Sequence, residues 1–356
     1  MTPSISNYFP YLPLLVPSVL AAYYVLASRP TTSKNQLYPP VDPGLASLPL
    51  NSRARVVYSE DWLEGGAYAN LPLGRVRYWL VGPTSGKKIV LIHGLTTPSL
   101  VFQRLVPILV AAGHQVLVYD LYGRGYSDAP KNIDYDAHLY VTQLALLLQH
   151  VGWERARLVG FSMGGAIAAA IVAAFPKLVE RDVVLIASAG AAESSPAPFY
   201  RIRNLPFVEG LTMRGVLSSV VKIPPTDETP LNEIVRLQAA SLRGFTHAVI
   251  SSLHEGPISH ARWMFGVPAW CGRRVLFVHG TRDTVVPPRS SPFLRSLIDS
   301  VPAETSKGGI NSDSVDGRKD MQVKTELVSI GGAGHDLIWT HAEEVGKAIV
   351  SFLDEK

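Results

Sequence analysis

Residues 156–175 read ARLVGFSMGGAIAAAIVAAF, and this stretch decides the fold. Its first part, Ala156 to Phe161, is a short apolar run, the pattern of a strand covered on both faces. From Gly165 onward come small apolar residues suited to a helix packed closely on a sheet. Between the two stands Gly160-Phe161-Ser162-Met163-Gly164. A chain that passes from strand to helix within these residues crowds the positions two before and two after the serine, so both must be nearly bare. Ser162 then projects from the turn at the strand's carboxyl end, above a helix amino terminus that favours negative charge. It is the candidate nucleophile.

Outward from this unit the same rhythm repeats. Lys88-IVLIHG, His114-QVLVYD, Arg181-DVVLIAS, Arg274-VLFVHG and Thr325-ELVSIGG are further apolar runs that end at turns. Between two of them, Tyr140, Leu144, Leu147, Leu148 and Val151 recur at helical spacing. Strands alternating with helices predict an α/β architecture, a mostly parallel central sheet with helices on both faces. Val56 to Ser59 and Arg75 to Val81 are expected as leading antiparallel strands. The rhythm breaks from Ala191 to about Phe265, where pieces such as Leu231-NEIVRLQAASL are amphipathic, and an inserted helical cap is expected over 191–268. The core is thus assigned to 53–190 and 269–356, the second part carrying a polar insertion at 303–323.

A serine hydroxyl needs a base within hydrogen-bond reach, itself oriented by an acid. Of ten histidines, His335 in Gly331-GAGHD follows the last expected strand, where strand carboxyl ends gather. His341 lies in the next helical pattern, and the others read as solvated or satisfied side chains, His279 standing just before a strand-end turn. Asp283 in His279-GTRDTVVP follows the penultimate strand, so its carboxylate can meet the His335 ring; a turn-capping role is the plain alternative. Asp336 and Glu193 are rival acids, the former too near the base in sequence to align with its ring nitrogen. The oxyanion needs two backbone donors, expected from the amide of Met163 and from the loop His93-Gly94-Leu95-Thr96-Thr97, at Leu95. No Cys/His set has zinc spacing, Cys271 stands alone as a packed or surface thiol, and no metal or cofactor is expected.

Taken in order, LIHG, YDLYGRGYSD, LVGFSMGG, VHGTRDTVVP and GAGHD resemble the α/β-hydrolase superfamily over roughly 53–356, in the branch with a His-Gly oxyanion loop and a helical cap. The resemblance implies an α/β-hydrolase fold with the chain order Ser, Asp, His. It also implies that Asp120, Gly123, Gly125 and Ser127 shape a turn and take no part in the chemistry. The expected activity is that of a serine hydrolase cleaving a carboxylic ester through an acyl-enzyme, similar to monoacylglycerol lipases and carboxylesterases. Trp263, Met264 and Phe265 in the expected cap suggest a hydrophobic, lipid-like substrate. A carbon–carbon bond hydrolase or thioesterase with the same triad, and a non-catalytic ligand receptor on the same fold, remain open. Aspartate-nucleophile chemistry is disfavoured by Ser162.

Composition narrows the rest. The chain has 356 residues, 47% hydrophobic and 17% charged, too apolar for a disordered protein. Its formal charge of +4 arises from dispersed residues without the basic block of a nucleic-acid groove, and no obligate protein partner is implied. Tyr8 to Ser28 is uncharged and long enough to cross a bilayer core of about 30 Å, so 1–30 reads as a membrane anchor. A cleaved signal peptide and a buried or interfacial segment are the alternatives, although no basic residue precedes the run. Arg29, Lys34, Arg53 and Arg55 follow it, which places the body on the cytoplasmic side. Residues 31–52, with Pro39, Pro40, Pro43 and Pro49, read as an extended linker.

Overall fold

The apolar runs form one eight-stranded sheet in the computed structural model, which describes residues 38–192, 229–258, 261–302 and 322–355. Its strands are β1 (Gly66–Leu71), β2 (Gly74–Val81), β3 (Lys88–Ile92), β4 (Gln115–Tyr119), β5 (Ala156–Phe161), β6 (Val179–Ile186), β7 (Arg274–Gly280) and β8 (Lys324–Ile330). They lie in the order β1-β2-β4-β3-β5-β6-β7-β8. All pairings from β4 to β8 are parallel, and β2 alone runs against the others, pairing antiparallel with both β1 and β4. The expected α/β-hydrolase architecture is therefore present. Residues of β3, β4, β5 and β7 are buried almost throughout, because helices cover both faces and leave no side for water. Alternate side chains feed two cores: Val90, Leu117 and Leu158 face one, Ile89, Val116 and Val159 the other.

Two expectations about the leading segment are corrected. Val56 to Ser59 is not a strand; the helix Arg53–Val57 ends there, with Ala54 and Tyr58 buried four residues apart on one side. The strand that pairs with β2 is Gly66–Leu71, joined to it by a tight turn at Pro72-Leu73 and Gly74, where φ is +135°. The described part of the Pro-rich stretch does not stand off as a linker. Val41–Asp42 pairs with Ala129–Pro130, and Leu45 is fully buried with its amide bonded to Gly125 O at 2.9 Å.

The expected cap interrupts the chain between β6 and β7, which are sheet neighbours. Its described helices are Pro230–Ser241, capped by the Thr229 side chain, and Arg243–His254. Met264 and Phe265, expected in the cap, are buried in the main core, Phe265 stacking on Trp270 at 6.3 Å; Trp263 is exposed. Their short turn packs on the helices Met163–Ala174 and Ser290–Asp299. The predicted anchor, the first part of the linker, cap residues 193–228 and polar insertion residues 303–321 lie outside the described residues. Of a second unit made of 1–38 and 196–214, only Tyr38 falls within them; the described residues from 39 on belong to one unit. No helix among the described residues is long and apolar enough to cross a membrane.

Candidate active site

The turn after β5 is as tight as its spelling requires. Ser162 holds φ +56° and ψ −118°, a region that side chains rarely enter. Its neighbours explain how that shape persists. The Ser162 amide donates to Ile186 O at 2.9 Å, and its carbonyl accepts from Gly165 N at 3.0 Å and Ala189 N at 2.9 Å. A Cβ on Gly160 would run into the Gly164 backbone, and one on Gly164 into the Ile92 carbonyl. Gly165 is a third bare position, since a Cβ there would meet the Ser188 side chain. Sequence spacing identified the first two but not this one.

Three strand ends bring the polar side chains together. Asp283 follows β7 and His335 follows β8; their loops are tied by Arg282 N to Ala333 O at 2.9 Å and Gly332 N to Thr281 Oγ1 at 2.9 Å. His335 Nε2 lies 3.0 Å from Ser162 Oγ and Nδ1 lies 2.8 Å from Asp283 Oδ2. The carboxylate can only accept, so Nδ1 carries the proton and Nε2 is free to accept from the serine. Phe161 packs beside the His335 ring at 5.2 Å. Asp283 Oδ1 accepts from the amides of Val285 and Val286 at 2.9 and 2.8 Å, so the carboxylate is held on both oxygens. Asp336 is exposed and is not the partner of the ring, the His341 ring bonds to Thr340, and Glu193 is outside the described residues.

A histidine read as satisfied turns out to touch the acid. His279 Nε2 lies 2.9 Å from Val286 O and 3.3 Å from Asp283 Oδ2, while Nδ1 lies 2.6 Å from Ser291 Oγ. Val286 O only accepts, so Nε2 carries a proton that Asp283 shares. Burial alone would push the Asp283 carboxyl up; hydrogen bonds from His279 and His335 overcome it and hold the group well below the usual carboxylate range. The sequence signal was the four-residue spacing of His279 and Asp283, which says nothing until the turn between them is known.

The loop after β3 lies against the serine, for a Cβ on Gly94 would stand 3.3 Å from Ser162 Cβ. His93 is fully buried; its Nε2 accepts from Leu121 N at 2.9 Å, so Nδ1 is the protonated nitrogen and donates to Gly94 O at 2.9 Å. Burial, opposed by the Gly94 bond and aided by the charge of Arg124, lowers this histidine to about 3 and keeps it neutral. Met163 opens the helix Met163–Ala174, so its amide has no acceptor within that helix. The turn residues also act as expected: a Cβ on Gly125 would strike the Asp120 carboxylate, and Ser127 Oγ donates to Asp120 O at 2.7 Å.

Beside the Asp283 loop is a cavity of about 540 Å³, lined by Ala189, Ile258, Val286 and Phe293 together with Arg262 and Arg289. Ser162 and His335 do not themselves line it, but Ala189 bonds the Ser162 carbonyl and Val286 bonds Asp283. No group of His, Cys, Asp and Glu that could hold a metal occurs among the described residues.

The α/β hydrolase fold family model matches residues 87–214. The chain is 32% identical over 116 residues to a serine hydrolase-like protein of Danio rerio, 32% of this chain and 35% of that protein, so the match spans about a third of each. It is 27% identical over 231 residues to the 2-hydroxymuconate semialdehyde hydrolase of Pseudomonas sp. (strain CF600), covering 60% of this chain and 76% of that one. Among solved structures it is similar to an esterase from Exiguobacterium antarcticum, with TM-score 0.61 and 18% identity over 82% of this chain and 100% of that chain; at that identity the likeness is one of fold. Residues 87–214, which match the family model, carry the serine turn and the loop before it, and the strands beyond them complete the sheet that these structures share, so the chain has the α/β-hydrolase fold.

Proposed function

We propose that the protein is a serine hydrolase that cleaves a carboxylic ester of a hydrophobic substrate through an acyl-enzyme on Ser162. The observation that carries this reading is the unbroken hydrogen-bonded chain from Ser162 Oγ through the His335 ring to Asp283. In the cycle Ser162 Oγ attacks the carbonyl carbon as its proton passes to His335 Nε2, and Asp283 stabilises the imidazolium. The amides of Leu95 and Met163 receive the oxyanion, each worth about 3 kcal/mol in the transition state. The carbon–oxygen bond then breaks, His335 returns the proton to the departing alcohol, and water repeats the attack to release the acid. The largely apolar walls of the cavity beside Asp283 support a hydrophobic substrate.

A carbon–carbon bond hydrolase using the same side chains is the second reading, favoured by the likeness to 2-hydroxymuconate semialdehyde hydrolase. The apolar run at 8–28 supports a membrane-held form with the body on the cytoplasmic side. One experiment addresses all three points. A fluorophosphonate probe is expected to label wild type stoichiometrically and Ser162→Ala not at all, with label in the membrane pellet after an alkaline wash. A panel of esters, thioesters and vinylogous diketones then assigns the bond. An inert wild type would refute the enzyme reading, and label in the supernatant would refute the anchor.

A further inference from the structure

The turn after β4 contains Arg124, which its shape-giving neighbours do not account for. The side chain is fully buried, and all five of its hydrogen bonds go to uncharged oxygens. Nε donates to Leu95 O at 2.9 Å; Nη1 donates to Tyr122 O at 2.9 Å and to the Tyr140 hydroxyl at 2.6 Å. Nη2 donates to Ala248 O at 3.2 Å and to Ser252 Oγ at 2.8 Å. Burying a charge in this way is tolerable only because every N–H finds an acceptor. A lysine has one ammonium on a flexible stem and cannot reproduce the planar fork.

Arg124 is one of three clamps on successive carbonyls of the loop after β3. Gly94 O is held by His93 Nδ1 at 2.9 Å, Leu95 O by Arg124, and Thr96 O by Gln238 Nε2 at 3.4 Å. Gln238 belongs to the helix Pro230–Ser241 and also accepts from Gly125 N at 2.7 Å, so both described helices of the insertion are tied to this region. All peptide bonds here are trans. In a trans peptide the C=O and the following N–H point in opposite directions, so holding carbonyls 94, 95 and 96 aims the amides of Leu95, Thr96 and Thr97.

We propose that Arg124 is a positioning residue for acyl transfer at Ser162: by joining the Leu95 carbonyl to Ala248 and Ser252, it lets the inserted helix Arg243–His254 anchor the C-terminal side of Leu95, the residue whose amide receives the oxyanion, while His93 holds the Gly94 carbonyl of the peptide that bears that amide. The inference rests on the hydrolase reading above, because that amide matters to the rate only if an oxyanion forms beside it. Displacement of the loop should weaken transition-state binding while leaving the ground-state substrate little affected.

The test compares full-length wild type, Arg124→Lys and Ser252→Ala on p-nitrophenyl esters, with a trifluoromethyl ketone of matching chain length as transition-state analogue. Melting temperature and circular dichroism gauge folding. Arg124→Lys is expected to lower kcat about a hundredfold and Ser252→Ala about tenfold, with KM moved by less than about twofold. Affinity for the ketone should fall in step with kcat/KM, which a general loosening of the fold would not produce. A folded Arg124→Lys with wild-type kcat, or a loss confined to KM, overturns the proposal. If Arg124→Lys does not fold, Ser252→Ala decides by the same criterion. A wild type that turns over no ester and is not labelled at Ser162 instead sinks the reading of the site itself.

Discussion

Asp283 is held by four donors, the amides of Val285 and Val286 on one oxygen and the rings of His279 and His335 on the other. Its lowered pKa carries a definite sign. The stabilisation is present above the ordinary carboxylate value of about 3.9 and is lost as pH falls through the lower folded value. Asp283 therefore stays ionised across the weakly acidic range. Replacing His279 by Leu removes one donor from the oxygen that orients His335. A charged hydrogen bond of this kind is worth about 1.5–3 kcal/mol, so His279→Leu is expected to lower kcat ten- to hundredfold with little change in KM. Steady-state kinetics on the best ester would check this, and unchanged kcat would mean that Asp283 is oriented by its loop amides alone.

At the scale of elements, the strand-turn-helix unit of β5 and the helix Met163–Ala174 is both the site's foundation and the core's centre. The helix is buried almost to its end because Ala, Gly and Val let it approach the sheet closely. Gly164 stands where the helix start meets the end of β3, so Gly164→Ala drives a methyl group into the Ile92 carbonyl. Backbone cannot swing aside as a side chain can, and the expected cost is about 3 kcal/mol, read as a lower midpoint in urea. A wild-type midpoint would show that β3 can move away from the elbow. The element read wrongly and the one not read at all also have a physical account. Val56 to Ser59 is apolar enough for a strand but too short for periodicity to separate strand from helix. GAYANL at 66–71 is poor in strand-forming residues and becomes an edge strand only because β2 offers it a partner.

Across the whole molecule, Asp120 joins segments remote in sequence. Its buried carboxyl accepts from the Ser99 amide at 2.9 Å, the Tyr126 amide at 2.9 Å and the Tyr58 hydroxyl at 3.0 Å. Burial outweighs these bonds and raises the group to about 6. An acid raised on folding contributes stability that is fully present below about pH 4 and lost as pH rises through about 6, a change on the order of 3 kcal/mol. Asp120→Asn should be less stable overall, since its amide sets a donor against a donor, and its stability should lack this fall between pH 4 and 6. Denaturant melts of both proteins across that range would show it, and parallel curves would place the pH dependence elsewhere.

Local spelling by itself determined the strand-helix rhythm, the six parallel strands and the bare positions around Ser162, because covered strands and tight turns restrict residue type directly. It also singled out His335 and Asp283, since turns after successive parallel strands gather at one edge. Tertiary structure alone decided that Phe265 packs in the main core, that Pro39 to Leu50 lies on the body, and that His279, Gln238 and Arg124 serve the site. The reason is physical: a buried histidine, glutamine or arginine is defined by the acceptors it meets, and those acceptors are backbone carbonyls and side chains brought near only by the fold, which no pattern of neighbouring residues records.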